Sequence, residues 1–303
     1  MKQDLIDKRI PEIDKLYEDV ISYRSTAQFE NMLNFITRFR HMAPYNAMLV
    51  YIQKPGSEFV TSAKEWRVRY NRIVKPDAIP LVILQPFGPV TFVYEYNDTV
   101  GDPFPDSVVE PFKCTVDIGE AMLEHLINNI KAEGVETCFS NYGTGFAGQI
   151  SYHDEETILQ MRIPSGICYL RSYHTIRVNN NLSPAEKYAT ILHELAHLYC
   201  GHLYHDHTIE RWLPCRYDIG LSREQKEFEA ETACWLVCER MGITNPSAKY
   251  LAGYLKDNKE IPHVSVDVIL KAAGILETFS KVNVMKRRKE LVIRVEKTED
   301  AKR

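Results

Sequence analysis

Ser183-Pro184-Ala185-Glu186, followed seven residues later by His193-Glu194-Leu195-Ala196-His197, constrains this chain more than any other stretch. A serine with a glutamate three residues on, and proline in the first helical position, is a capping pattern that starts a helix. The apolar residues Tyr188, Ile191, Leu192, Leu195, Leu198 and Tyr199 form one stripe, and Gly201 is the stop. Residues four apart on a helix share a face, so His193 and His197 can converge on a single metal ion. Zinc takes nitrogen and oxygen donors about 2 Å away, and a catalytic site keeps one position for water. Glu194 stands next to the first histidine and points past the ion, which suits a base that takes a proton from that water. The plainer reading is a helix with two surface histidines. Against it stand the well-capped setting and a carboxylate helix downstream.

That second helix opens at Ser222-Arg-Glu-Gln225 and closes at Met241-Gly242. Within it Glu227 and Glu231 lie four apart on one face, while Glu229 points away from both and reads as a solvated face. One glutamate can bind the metal while the other accepts a ring N–H from a ligand histidine; Glu227 is the preferred ligand and Glu231 the preferred acceptor. A competing cluster, Cys200, His202, His205, His207 and Cys215, has no recognised zinc spacing and also fits a loop over the site mouth. Cys234 and Cys238 read as core packing. Tyr173, His174, Tyr204 and His205 are candidates for stabilising an oxyanion.

With 303 residues, 45% of them hydrophobic, the chain can bury one large core or two modest ones, and two domains are expected. A net charge of −4 excludes a wholesale polycation, so any nucleic-acid contact needs a local basic surface. The first twenty residues are charged throughout and no apolar run approaches a membrane span, so a cytoplasmic location with no membrane partner is expected. Seven cysteines without a CxxC pair fit reduced thiols. The fold class expected is α+β. Residues 1–112 read as a helical domain with a small antiparallel sheet, its hairpin at 80–86 and 89–96. Residues 113–303 read as mostly helical, with strands near 148–162 and 169–178 and helices near 116–133, 246–256 and 265–281.

The pair HELAH and EFEAETACWLV resembles the ImmA/IrrE family of metallopeptidases. More broadly it resembles zinc peptidases whose third ligand is the first glutamate of a Glu-x-x-Ala-Asp/Glu helix, here Glu227 with Glu231 in place of the aspartate. The resemblance implies a zincin-like domain of the gluzincin type, one Zn2+ per chain held by His193, His197 and Glu227, and a protein substrate such as a repressor or restriction component. Upstream, YNAMLVYIQKPGSEFVTSAKEWRVRYNRIVKPD, ILQPF and FVYEYNDTVGDPFP are similar to the N-terminal domain of ArdC-like antirestriction proteins, matching at Asn46, Trp66, Lys75, Phe92, Thr99, Gly101 and Pro105. That resemblance implies a module for single-stranded DNA and a role in antirestriction or mobile-element regulation. An alternative of another class is a DNA-binding antirestriction protein in which the metal only braces the fold.

Residues 20–76 hold nine basic side chains against three acidic ones, interleaved with rings including Phe35, Phe39, Phe59 and Trp66. A cationic groove with stacking rings is how single strands are held without sequence readout. Asn46, Lys64, Trp66, Arg67, Arg69, Arg72 and Lys75 are the candidate contacts. The plainer reading is a helical domain whose arginines lie over its core.

Overall fold

The computed structural model describes residues 26–85, 88–103, 118–143, 145–206, 210, 212–243, 261–281 and 285–297. The chain divides into two compact units. The first is Met1–Cys114 with Arg240–Gly242 and Tyr254–Asp267, and the second is Thr115–Glu239 with Ile243–Gly253 and Val268–Arg303. The boundary expected near residue 112 and the helix expected over 246–256 lie outside the described residues.

The first unit carries helices α1 (Thr26–Arg38), α2 (Pro44–Gln53) and α3 (Ala63–Tyr70). Its strands are β1 (Val60–Thr61), β2 (Arg72–Val74), β3 (Leu81–Gln85), β4 (Gly88–Glu95) and β5 (Thr99–Gly101). The expected hairpin is β3 against β4, with β1 on the far side of β4, while β2 and β5 pair separately. α1 buries Phe29, Met32, Leu33, Phe35 and Ile36 at three- and four-residue spacing, and Phe39 just past its end is buried too. The Phe35 and Phe39 rings stack 4.4 Å apart. Asn46 and Gln53 of α2 cover the edge of β3: Asn46 exchanges two hydrogen bonds with the Leu84 backbone, and Gln53 does the same with Val82. Side-chain amides thus satisfy backbone groups that an edge strand leaves open.

The second unit is built on a long antiparallel hairpin, β7 (Gly148–Ile163) and β8 (Gly166–Asn179). Strand β6 (Val135–Ser140) runs parallel to β8, and β9 (Val292–Lys297) pairs with β8 antiparallel, so the charged tail contributes a strand. Helices α4 (Glu120–Lys131), α5 (Pro184–Tyr199), α6 (Arg223–Met241) and α7 (Val266–Phe279) complete it. α5 packs on β7 and β8, and its Ile191, Leu192, Leu195 and Leu198 are buried. The fold is α+β, as the motif spacing predicts. No helix among the described residues is long and apolar enough to cross a membrane. The six described cysteines are free thiols.

Candidate metal centre

α5 begins where the sequence says it should. Ser183 Oγ accepts the Glu186 N–H, and the Glu186 carboxylate accepts the Ser183 N–H at 2.8 Å, with Pro184 in the first turn. It ends at Gly201, whose φ of +74° suits glycine. There Gly201 N–H donates to the Leu198 carbonyl and His202 N–H to the His197 carbonyl, each at 3.0 Å. This paired closure is a Schellman motif, and it turns the chain back over its last helical turn. α6 is capped likewise, Ser222 N–H donating to Gln225 Oε1 at 2.9 Å and Gln225 N–H to Ser222 Oγ at 3.2 Å.

The two helices bring three donor atoms together. His193 Nε2 and His197 Nε2 are 3.2 Å apart, and Glu227 Oε2 is 3.6 Å from each. A tetrahedral zinc with bonds of 2.0–2.1 Å needs donors about 3.3–3.4 Å apart, so this triangle fits one face of such a shell. Glu231 Oε1 lies 3.6 Å from His193 Nδ1, behind the ring. Glu194 Oε2 accepts the Ile150 N–H at 2.8 Å, which ties the carboxylate to the edge of β7 that no strand among the described residues pairs with. Gly148 makes that approach possible, because a Cβ there would stand 2.4 Å from Thr190 Cγ2 and 3.0 Å from the Arg177 carbonyl. The result is a cleft of about 730 Å³ lined by Gly148, Ile150, His193, Glu194, His197 and Glu227 among others. That volume is in the range of small-ligand and peptide-side-chain sites.

Charge is organised around the same atoms. Burial opposes the His193 imidazolium, but the neighbouring Glu227 and Glu231 carboxylates outweigh it and push its pKa up to about 9. The His193 and His197 rings beside it hold Glu227 well below the usual carboxylate range. The carboxylates therefore keep a proton on His193 that a metal ion must displace.

Glu229 departs from the sequence reading. It is fully buried rather than solvated: His202 Nε2 lies 2.9 Å from its Oε2, and Arg216 grips both oxygens at 2.5 and 3.1 Å. His202 in turn meets His197, Nδ1 to Nδ1, at 2.9 Å. Burial lowers the His202 pKa, and its contact with Glu229 does not reverse this. The signal for His202 was present as a histidine just past the glycine stop of α5. None of the four candidate oxyanion donors lines the cleft: His174 faces Glu210 at 3.4 Å, Tyr173 donates to Glu156, Tyr204 meets the Tyr152 ring edge to face and His205 is buried. Cys234 and Cys238 are core residues.

The candidate nucleic-acid contacts of the first unit separate into two groups. Trp66 is 0% exposed, its Nε1–H donating to the Tyr94 carbonyl, so it offers no ring face to a base. Phe35, Phe39 and Phe59 are buried as well, so these rings form core and not a binding face. Asn46 is spent on the β3 edge. Arg72 is buried, donates to Thr99 and to the Gly101 and Asp102 carbonyls, and lies over the Tyr96 ring, while Lys75 donates to the Asn97 carbonyl at 2.7 Å. Lys64, Arg67 and Arg69 project from α3 into solvent.

Residues 153–233, which hold most of β7, all of β8 and α5 and the first part of α6, match the family model of the IrrE N-terminal-like domain. This is the ImmA/IrrE class that the two helical motifs resemble. Across 78% of its length the chain is also similar to the Mn(II)-bound crystal structure of the antirestriction protein ArdC from plasmid R388, with 15% identity, 85% of that chain covered and a TM-score of 0.34. No curated protein matches the chain.

Proposed function

We propose that the second unit is a zinc-dependent peptidase of the gluzincin kind, with His193, His197 and Glu227 as ligands and Glu194 as general base. The observation that carries this is the convergence of three donor atoms, 3.2 to 3.6 Å apart, in a cleft that also holds Glu194. A bound zinc ion supplies Lewis acidity toward a carbonyl and toward water. Glu194 accepts the water's proton and delivers it to the departing amine, and the Ile150 N–H keeps its carboxylate fixed through both transfers. Glu231 holds the His193 ring from behind. Among the described residues β7 presents an unpaired strand edge beside the cleft, which suits a substrate bound in extended form.

The IrrE-type match at 153–233 supports the peptidase class, and the N-terminal resemblance supports a companion role in holding single-stranded DNA, in an antirestriction or mobile-element setting. Lys64, Arg67 and Arg69 are the side chains available for phosphate. Candidate substrates are a repressor or a restriction component. Zinc-loaded chain is incubated with a casein peptide mixture, with and without an oligothymidylate, beside Glu194→Gln. Loss of cleavage by about 10²-fold or more with zinc content unchanged is expected. Equal cleavage by both proteins refutes the assignment of Glu194, and absence of cleavage by a zinc-loaded wild type favours the reading in which the metal braces a DNA-binding fold.

A further inference from the structure

The buried polar side chains behind His197 form a continuous line. Arg216 donates to both oxygens of Glu229, and Glu229 Oε2 is 2.9 Å from His202 Nε2. His202 Nδ1 is 2.9 Å from His197 Nδ1, and His197 Nε2 faces the other two donors of the metal centre. A carboxylate clamped by a guanidinium can only accept, so His202 donates through Nε2. A neutral His202 then offers a lone pair at Nδ1, which His197 meets with its own Nδ1–H. Only one ring nitrogen of His197 is left, and its lone pair points toward His193 and Glu227. The direction of every hydrogen bond in the line is set from its far end.

We propose that Arg216, Glu229 and His202 are positioning residues, a hydrogen-bonded line that fixes the tautomer and ring orientation of His197 and thereby how tightly the centre holds its metal. The inference rests on the reading of His197 as a ligand. The fold builds the line deliberately: the turn at Gly201 lays His202 against His197. The segment carrying Arg216 crosses the same turn so closely that a Cβ on Gly201 would stand 3.0 Å from the Arg216 nitrogen. The same atoms admit a different use, since Cys200, His202 and Glu229 also bring three donors within 4.8 Å of one another. Arg216 argues against an ion there, because it occupies both Glu229 oxygens with positive charge.

The test compares zinc affinity by chelator competition and the visible absorption of the Co2+-loaded protein in wild type, His202→Phe, Glu229→Gln, His197→Ala and Cys200→Ser, with circular dichroism as the folding control. A 10- to 100-fold weaker affinity and an altered Co2+ spectrum in folded His202→Phe, together with loss of binding in His197→Ala, are expected. Glu229→Gln gives the same direction, and His202→Phe carries the test alone should Glu229→Gln fail to fold, since it leaves the Arg216–Glu229 pair intact. Wild-type affinity and spectrum in His202→Phe overturn the line while leaving the ligand reading standing. Wild-type affinity in His197→Ala overturns both. A loss in Cys200→Ser as large as that in His202→Phe puts the ion on the other cluster and overturns the proposal.

Discussion

Glu227, Glu229 and Glu231 share one helix and have three different fates, set by what lies opposite each. Glu227 and Glu231 face His193, as the four-residue spacing predicts. Glu229 was illegible because a lone glutamate in a charged helix reads as solvated. Its burial depends on Arg216 and His202, which reach it from other parts of the chain. A prediction belongs to His193, whose folded pKa is raised above the ordinary 6.5 to about 9. In the zinc-free chain this group adds stability that is fully present below pH 6.5 and is lost as pH rises through about 9. Zinc must displace that proton, so chelator competition should show affinity climbing across pH 7 to 9 and levelling above. Replacing Glu231 by glutamine removes one of the charges that raise the pKa while leaving the three proposed ligands in place, and the climb should then move toward neutral pH. An affinity flat from pH 6.5 to 9.5 contradicts this reading.

At the level of elements, the caps and periods carried most of the information. The box at Ser183, the stop at Gly201, the second box at Ser222 and the strand pair at 148–179 all stand where local chemistry puts them. What spacing could not supply was the seating of β7 on α5, because that contact depends on a glycine approaching another element's side chain. Gly148→Ala should push the start of β7 off α5, since the new Cβ meets Thr190 Cγ2 at 2.4 Å, and so lengthen the Ile150 to Glu194 hydrogen bond. The expected outcome is a fall in kcat of roughly 10-fold or more with zinc content unchanged, because the three proposed ligands all lie on α5 and α6. Adding Thr190→Ser removes the clashing methyl and should restore part of the rate, the Arg177 carbonyl at 3.0 Å being left as the remaining obstacle. Full activity in Gly148→Ala alone would show that β7 adjusts without disturbing Glu194.

At the level of the whole molecule, a net charge of −4 conceals a first unit whose residues 20–76 are strongly basic, and composition could not say which of those charges remain available. Several are consumed inside the fold: Arg72 holds β5 to β2, and Lys54 pairs with Asp98 at 2.8 Å. The aromatic rings that made the segment look like a stacking groove are its core. If this unit holds a single strand, as proposed, the contacts must come from exposed cations such as those of α3 and not from rings such as Trp66. Each phosphate contact contributes about 0.7 to the slope of log affinity against log salt for a single strand. Lys64→Gln/Arg67→Gln/Arg69→Gln, followed by fluorescence anisotropy of a labelled oligothymidylate from 50 to 300 mM salt, should lower that slope by about 2 while leaving the melting temperature near wild type. Trp66→Phe should do the reverse, lowering the melting temperature through lost core packing and the lost hydrogen bond to Tyr94 while leaving the slope alone. A triple variant with an unchanged slope removes α3 from any nucleic-acid interface. A Trp66→Phe variant with normal stability but weakened oligonucleotide binding would instead return the ring to the binding surface.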